Sequence, residues 1–97
     1  MKLGYTIVYV PDVAASLAFF TAAFGLPRKF LHESGLYGEL DTGPTTLAFA
    51  AHAMGELNFT GGHVHASDSL KPLGVEIGLV TDDVPAAHRR ALSQGAS

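Results

Sequence analysis

With 97 residues the chain has room for one domain. Its formal net charge is −3 and its six basic residues are scattered along the sequence, which argues against a nucleic-acid partner. Cysteine is absent, which excludes disulfides and thiolate metal sites, and no apolar run approaches the roughly 18 to 20 residues that span a bilayer, so we expect a cytoplasmic protein without a membrane partner. Hydrophobic residues make up 47% and charged residues only 15% of the chain, a balance that predicts apolar surface covered by a second copy in a homodimer.

The first predicted elements are a strand and a helix. Residues 3–10 are β-branched, aromatic or aliphatic and end at Pro11, as a strand does. Asp12 is placed to cap a helix that Gly25 ends in the left-handed conformation. The apolar stripe of this helix consists of Val13, Leu17, Phe20 and Phe24.

Three short strand-like runs follow the helix. Turn residues separate them at Ser34-Gly35 and at Gly43-Pro44, and this spacing predicts an antiparallel meander. Residues 53–73 are richer in Gly, Ser and Asn and show no sustained period, which predicts a long loop with at most a short strand near residues 62–66.

The last part of the chain repeats the order of the first. Residues 75–81 predict a fifth strand, and Asp82 and Asp83 offer a cap for a second helix that has Pro85 in its first turn and ends near Gly95. The order of strand, aspartate and helix occurs twice in the chain, which indicates a duplicated module. The matched residues are Asp12 with Asp83, Val13 with Val84 and Ala15 with Ala86.

Two segments carry a family resemblance. The opening YTIVYVPDVAASLAFFTAAFGL and the following FLHESGLYGELDTGPTTLAFAAH resemble the glyoxalase/bleomycin-resistance/dioxygenase superfamily, also called vicinal-oxygen-chelate proteins. The resemblance implies an α+β fold with a mixed curved sheet: a first βαβββ module at residues 1–52, a connecting loop at 53–73, and an incomplete second module of strand and helix at 74–97. A family member would continue for three more strands, so we expect that a C-terminal segment is omitted or that a partner chain supplies the missing edge.

The resemblance also suggests where ligands bind. Enzymes of this superfamily hold a divalent metal on the first and fourth strands of each module, and the matching positions here are Tyr5, Ala48 and Glu76. Alanine offers no ligand atom, so Glu76 is the one candidate metal ligand, where a catalytic ion needs about three. A divalent metal is therefore the only cofactor that the resemblance suggests, and catalytic residues stay unassigned.

Strand periodicity adds to this set. A period of two puts Tyr5, Ile7 and Tyr9 on one face of the first strand, while the helix is expected to cover the face of Val8. Tyr5 suits a pocket wall because it combines apolar area with a hydroxyl donor. The predicted ligand-binding residues are Tyr5, Ile7, Tyr9, Ala48 and Glu76.

Histidines give a separate and weaker pattern. His63 and His65 are two residues apart, so on a strand both would project to one side and could chelate zinc, copper or iron. No third ligand is fixed nearby in the sequence, which favours a solvent-facing pair. His32 and His52 are single histidines without a motif.

Three functional hypotheses remain open. The favoured one is a bleomycin-resistance-type protein that binds a small molecule in a crevice between paired chains and needs no metal. The alternative is a metal-dependent glyoxalase-like lyase or extradiol-type dioxygenase, with Glu76 as one ligand and the others on absent strands or on a partner. The third is a truncated chain whose remaining role is self-association.

Overall fold

The structure is a computed structural model that describes residues 1–97. Its elements are β1 (Tyr5–Val10), α1 (Val13–Phe24), β2 (Arg28–Leu31), β3 (Tyr37–Leu40), β4 (Thr46–Ala51), α2 (His52–Asn58), a 3₁₀ turn (Ala66–Asp68) and α3 (Val84–Ser93). The strands form one sheet in the order β1-β4-β3-β2, with β1 parallel to β4 and the other neighbours antiparallel. The predicted α+β fold with a mixed sheet and a β2-β3-β4 meander is therefore confirmed.

Local signals set both ends of α1 as predicted. The Asp12 carboxylate accepts a hydrogen bond from the Ala15 amide at 3.0 Å, which satisfies one of the free N–H groups of the first turn. Gly25 ends the helix with φ of 70°, a conformation that costs glycine nothing, and its N–H donates to the Thr21 carbonyl. The helix thus begins and ends where its sequence dictates.

The core lies between α1 and one face of the sheet. Val13 and Leu17 of α1 pack with Phe49 of β4, and all three are almost fully buried. Val8 packs against this cluster, so the helix covers the predicted face of β1. Gly38 of β3 allows the close approach, because a Cβ there would lie 2.6 Å from the Leu17 Cδ1 atom.

Helix α3 packs on the outside of α1. Asp83 caps it through a 3.0 Å bond from the Ala86 amide, as predicted. Its Arg90 side chain donates from Nε to the Ala22 carbonyl at 2.7 Å, close to the end of α1 where carbonyl groups lack partners in the helix. The structure therefore forms the second predicted helix and joins it to the first.

Two sequence predictions are wrong. No strand forms over residues 75–81, because an extended segment becomes a strand only when its N–H and C=O groups pair with a neighbour, and this segment lies along no sheet edge. Residues 53–73 are not all loop, since α2 takes up the first of them. The short strand that the sequence allowed near residues 62–66 does not form. The composition of these residues did not predict a helix, and the contacts of α2 with β1 and β4 stabilise it. The proposed division at residues 52 and 73 stays a prediction.

Candidate functional site

The sheet face opposite α1, which we call the open face, carries the first group of candidate residues. The strand register brings Tyr5 beside Thr46 and Ile7 beside Ala48, and it places Glu39 on the other side of Ala48. Neighbours in register point to the same face, so these side chains form one surface. Its central members are Tyr5, Ile7, Phe30, Tyr37, Glu39 and Ala48.

The open face is apolar and largely uncovered on one side. Tyr5 is 59% exposed and Ile7 is 45% exposed, and both lie on β1, an edge strand of the sheet. Ala48 is 0% exposed and lies between Ile7 and Glu39, so the middle of this face has a small side chain. Large apolar side chains left in solvent on a sheet face mark a surface that contacts something else.

One buried carboxylate lies in this apolar surface. Glu39 is only 7% exposed, and its Oε1 accepts a 2.9 Å hydrogen bond from the Tyr37 hydroxyl. The Lys29 ammonium is 3.7 Å from the other carboxylate oxygen and is itself more than half exposed. A buried carboxylate has about four acceptor positions, so Glu39 keeps capacity for a further donor.

The same contact perturbs Tyr37. Burial, the hydrogen bond to Glu39, the negative charge of Glu39 and the neighbouring Tyr5 phenol together raise the pKa of Tyr37 from 10.0 to about 12, with burial the largest cause. The phenol therefore stays protonated and donates to Glu39 throughout the physiological range. The pair presents one fixed polar group at the centre of an apolar face.

Glu39 and Tyr37 are site residues that the sequence interpretation missed. A signal was present, because the period of two in the meander places both on the face opposite the buried Gly38. That alternation predicts that Glu39 and Tyr37 share one face of β3, whereas their position beside β4 follows from the strand pairing.

The predicted site residues fall into three places. The structure brings Tyr5, Ile7 and Ala48 together on the open face. Tyr9 lies at the end of that face, where Asn58 Nδ2 donates to its hydroxyl at 3.2 Å and the Phe59 ring packs on it at 5.5 Å. Glu76 is exposed outside any strand and makes no hydrogen bond or ion pair. The role of all five in binding stays a prediction.

The family's metal positions do not fit a metal in this chain. Ala48 has no ligand atom, and Glu76 is held by no contact that would aim its carboxylate toward Tyr5. A first-row divalent ion in a catalytic site takes about three protein ligands. These positions therefore do not supply the set of ligands that a catalytic metal needs.

A second group of side chains lies beyond the end of β4. His52 begins α2, while His63 and His65 follow the turn after α2, where Gly61 and Gly62 have φ of 83° and 78°. One ligand atom from each of the three histidines lies within 4.8 Å of the others. His52, which directly follows β4, therefore lies beside the pair His63 and His65 that the sequence indicated.

The three imidazoles are in direct contact. His52 Nδ1 lies 3.0 Å from His63 Nε2, and the His52 and His65 rings stack with centroids 3.7 Å apart. Burial lowers the pKa of His52 below its usual range, and positive charge on His65 and His63 would lower it further. The site of His52 therefore favours its neutral imidazole, the form that binds metal ions.

Two ring nitrogens of the cluster have no partner. His52 Nε2 and His63 Nδ1 are buried and make no hydrogen bond. A buried polar group left unsatisfied costs roughly 1–3 kcal/mol, and native structures keep few of them. Glu56 Oε1 lies 3.6 Å from His63 Nδ1 and 3.4 Å from His65 Nε2, within ion-pair distance of both atoms.

A groove lies between α1 and α3. Residues 78–81 form one wall, and its charged side chains are already engaged, with Asp83 capping α3 and Arg90 bonded to Ala22. The groove therefore offers apolar area but few free polar groups. None of the helices around it, or elsewhere in the chain, combines the length and apolarity of a membrane span.

An α+β module with a parallel β1-β4 pair, a β2-β3-β4 meander and one uncovered sheet face defines the structural class of this protein. The family model of the Glyoxalase/Bleomycin resistance protein/Dioxygenase superfamily matches residues 2–97, and the chain belongs to this superfamily. The sequence resemblance is thereby confirmed over nearly the whole chain.

Solved structures share the fold. A glyoxalase/bleomycin resistance protein/dioxygenase family enzyme from Burkholderia phytofirmans PsJN superposes with a TM-score of 0.75 at 23% identity, over 98% of this chain and 74% of that one. A gene product from Arabidopsis thaliana gives 0.74 at 22%, over 100% and 74%. A lactoylglutathione lyase from Agrobacterium tumefaciens gives 0.53 at 19%, over 96% and 66%. At these identities the likeness is one of fold, and no functionally curated protein matches the sequence.

Proposed function

We propose that the chain binds a small molecule on the open face of its sheet, in a crevice that a second copy closes, without a metal at the family's positions. The observation that carries the proposal is the buried Glu39 carboxylate, held by Tyr37 at 2.9 Å within an exposed apolar face. Small-molecule sites combine apolar walls with a few fixed polar groups, and this face has both. We place this binding protein in the cytoplasm on the sequence argument alone.

The chemistry of the face favours an aromatic or apolar ligand that carries a hydrogen-bond donor. Tyr5 and Ile7 offer exposed apolar area, and Glu39 offers free acceptor positions with a negative charge. A ligand amine or hydroxyl would complete the carboxylate's hydrogen bonds, whereas a ligand carboxylate would be repelled. The proposal thus predicts amines over acids of the same shape.

A second copy supplies the other wall. A ligand on a flat, half-exposed face keeps much of its area in water, while a typical site buries 70–90% of it. Apolar side chains that remain exposed on β1 are suited to face another chain across the ligand. A homodimer is therefore part of the proposal.

The test is a binding screen with matched fragments. Small aromatic amines and the corresponding aromatic carboxylates are titrated into isotope-labelled protein and followed by amide chemical shifts. We expect saturable amine binding that Ile7→Ala weakens and that Leu70→Ala, an exposed leucine outside this face, leaves unchanged. Equal binding of both variants, or preference for the acids, would refute the proposal.

The metal-dependent alternative of a lyase or dioxygenase makes a different demand. It needs ligands from another chain or segment to complete a site around Glu76. Because Glu76 would then be required, Glu76→Gln should abolish metal-dependent turnover in the assembled protein while leaving amine binding on the open face intact.

A further inference from the structure

We propose that His52, His63 and His65, with Glu56, form a binding site for a divalent transition-metal ion of the zinc type. This site lies beyond the end of β4, apart from the family's metal positions at Tyr5 and Ala48. It does not rest on the proposed small-molecule function.

The donor set is the first argument. Three imidazoles and one carboxylate suit zinc, since neutral histidine nitrogens and carboxylate oxygens are its usual ligands besides cysteine. The ligand atoms of the three histidines already lie within 4.8 Å of one another. Nitrogens that bind one tetrahedral zinc ion at about 2.0–2.1 Å lie roughly 3.4 Å apart. Small side-chain rotations that bring the histidine nitrogens closer by up to about 1.4 Å would therefore close the site.

The unpartnered nitrogens are the second and independent argument. His52 Nε2 and His63 Nδ1 are buried without a hydrogen-bond partner, although both rings contact other aromatic rings. Tyr9 packs on His63 with ring centroids 5.0 Å apart, which holds the imidazole in place. A metal ion would use the coordination capacity that the protein leaves unsatisfied here.

Two carboxylates flank the cluster as supporting groups. Asp68 Oδ2 lies 3.4 Å from His65 Nδ1, so it orients that ring and leaves the Nε2 atom for the ion. Glu56 Oε1 lies 3.4 Å from the same Nε2 atom and completes the ligand set. Histidine ligands are usually oriented by a carboxylate on their other nitrogen.

The backbone also makes room for the site. Gly55 is buried in α2, and a Cβ at this position would lie 2.6 Å from His63 Nδ1. A Cβ at Gly62 would lie 2.7 Å from Glu56 Oε2. Glycine in a helix interior is unfavourable, so Gly55 is explained by the imidazole that it admits.

Zinc titration of the chelator-treated full chain tests the site. We expect one ion per chain by calorimetry, and a tetrahedral absorption spectrum when cobalt replaces zinc. His65→Ala, chosen because this side chain is more exposed than that of His63 (33% against 13%), should weaken binding at least tenfold, and Asp68→Asn roughly tenfold. His88→Ala, a histidine of α3 outside the cluster, is the control and should bind normally.

Circular dichroism confirms that each variant folds, so a loss of binding reports on the site. Unchanged zinc affinity in folded His65→Ala, or the absence of saturable binding in the parent chain, would overturn the proposal. Aromatic-amine binding on the open face is measured on the same variants. Its survival in His65→Ala separates failure of this site from failure of the proposed function.

Discussion

The two faces of the sheet carry side chains of similar hydrophobicity, but these side chains are buried on one face and exposed on the other. On the covered face, Leu17 and Phe49 are almost fully buried under α1. On the open face, Tyr5 and Ile7 alternate with partly buried residues of the same strand and remain largely in solvent. Side chains of similar hydrophobicity therefore stabilise the fold on one face and are available for contact on the other. Leu17 and Phe49 thus stabilise the fold, whereas Tyr5 and Ile7 leave much of their surface exposed.

The largest expected difference between the faces is in stability. Leu17→Ala removes a buried side chain and leaves a cavity, so it should lower the free energy of unfolding by about 2–5 kcal/mol. Ile7→Ala on the open face should lower it by under about 1 kcal/mol. Urea denaturation measures both. Equal losses would show that the open face is part of the core and contradict its assignment to binding.

The next effect concerns the polar pair of the open face. Tyr37→Phe removes the hydroxyl that donates to the buried Glu39 carboxylate, and it should cost about 1.5 kcal/mol, the lower end for a hydrogen bond to a charged group. Tyr5→Phe is the matched control, because the Tyr5 hydroxyl makes no hydrogen bond, and it should change stability by under about 0.5 kcal/mol. If the two variants unfold at the same urea concentration, Glu39 is not held by Tyr37.

The same pair predicts a pH dependence. The pKa of Tyr37 rises from 10.0 to about 12 in the folded chain. A raised folded-state pKa means that this contribution to stability is fully present below about pH 10 and is lost as the pH rises toward 12. Ultraviolet titration of the folded protein should show one tyrosine ionising late. In Tyr37→Phe that late step should disappear, and its persistence would assign it to another tyrosine.

The smallest expected effect lies outside both faces, at the cap of α3. Asp83→Ala removes the carboxylate that accepts from Ala86, and it should destabilise the protein by about 1 kcal/mol. Asp82→Ala removes a neighbouring carboxylate that makes no hydrogen bond, so thermal unfolding should change little. A larger effect at Asp82 would show that charge near the helix matters more than capping.

Local physics made much of the fold predictable from sequence. Asp12 and Gly25 bound α1 through contacts within a few residues, and the period of two along β1 separates Val8 from Ile7 without knowledge of any partner. The meander followed from turn residues in the same way. These features depend on neighbours in the chain, which the sequence displays directly.

The remaining features depend on distant contacts. Residues 75–81 have the composition of a strand but meet no sheet edge, so composition alone gave the wrong element. His52 joins His63 and His65 only because α2 and the turn at Gly61 fold the chain back. Glu39 reaches Ala48 through strand register, which the pairing of β3 with β4 determines. Each required a partner that sequence spacing does not identify.

A map of amide chemical shifts in the complex with an aromatic amine tests the central claim most directly. The account predicts that the shifts concentrate on β1, β3 and β4, with the largest changes at residues that flank Ile7 and Glu39. Shifts confined to the groove between α1 and α3, or no saturable shifts with any amine, would contradict it.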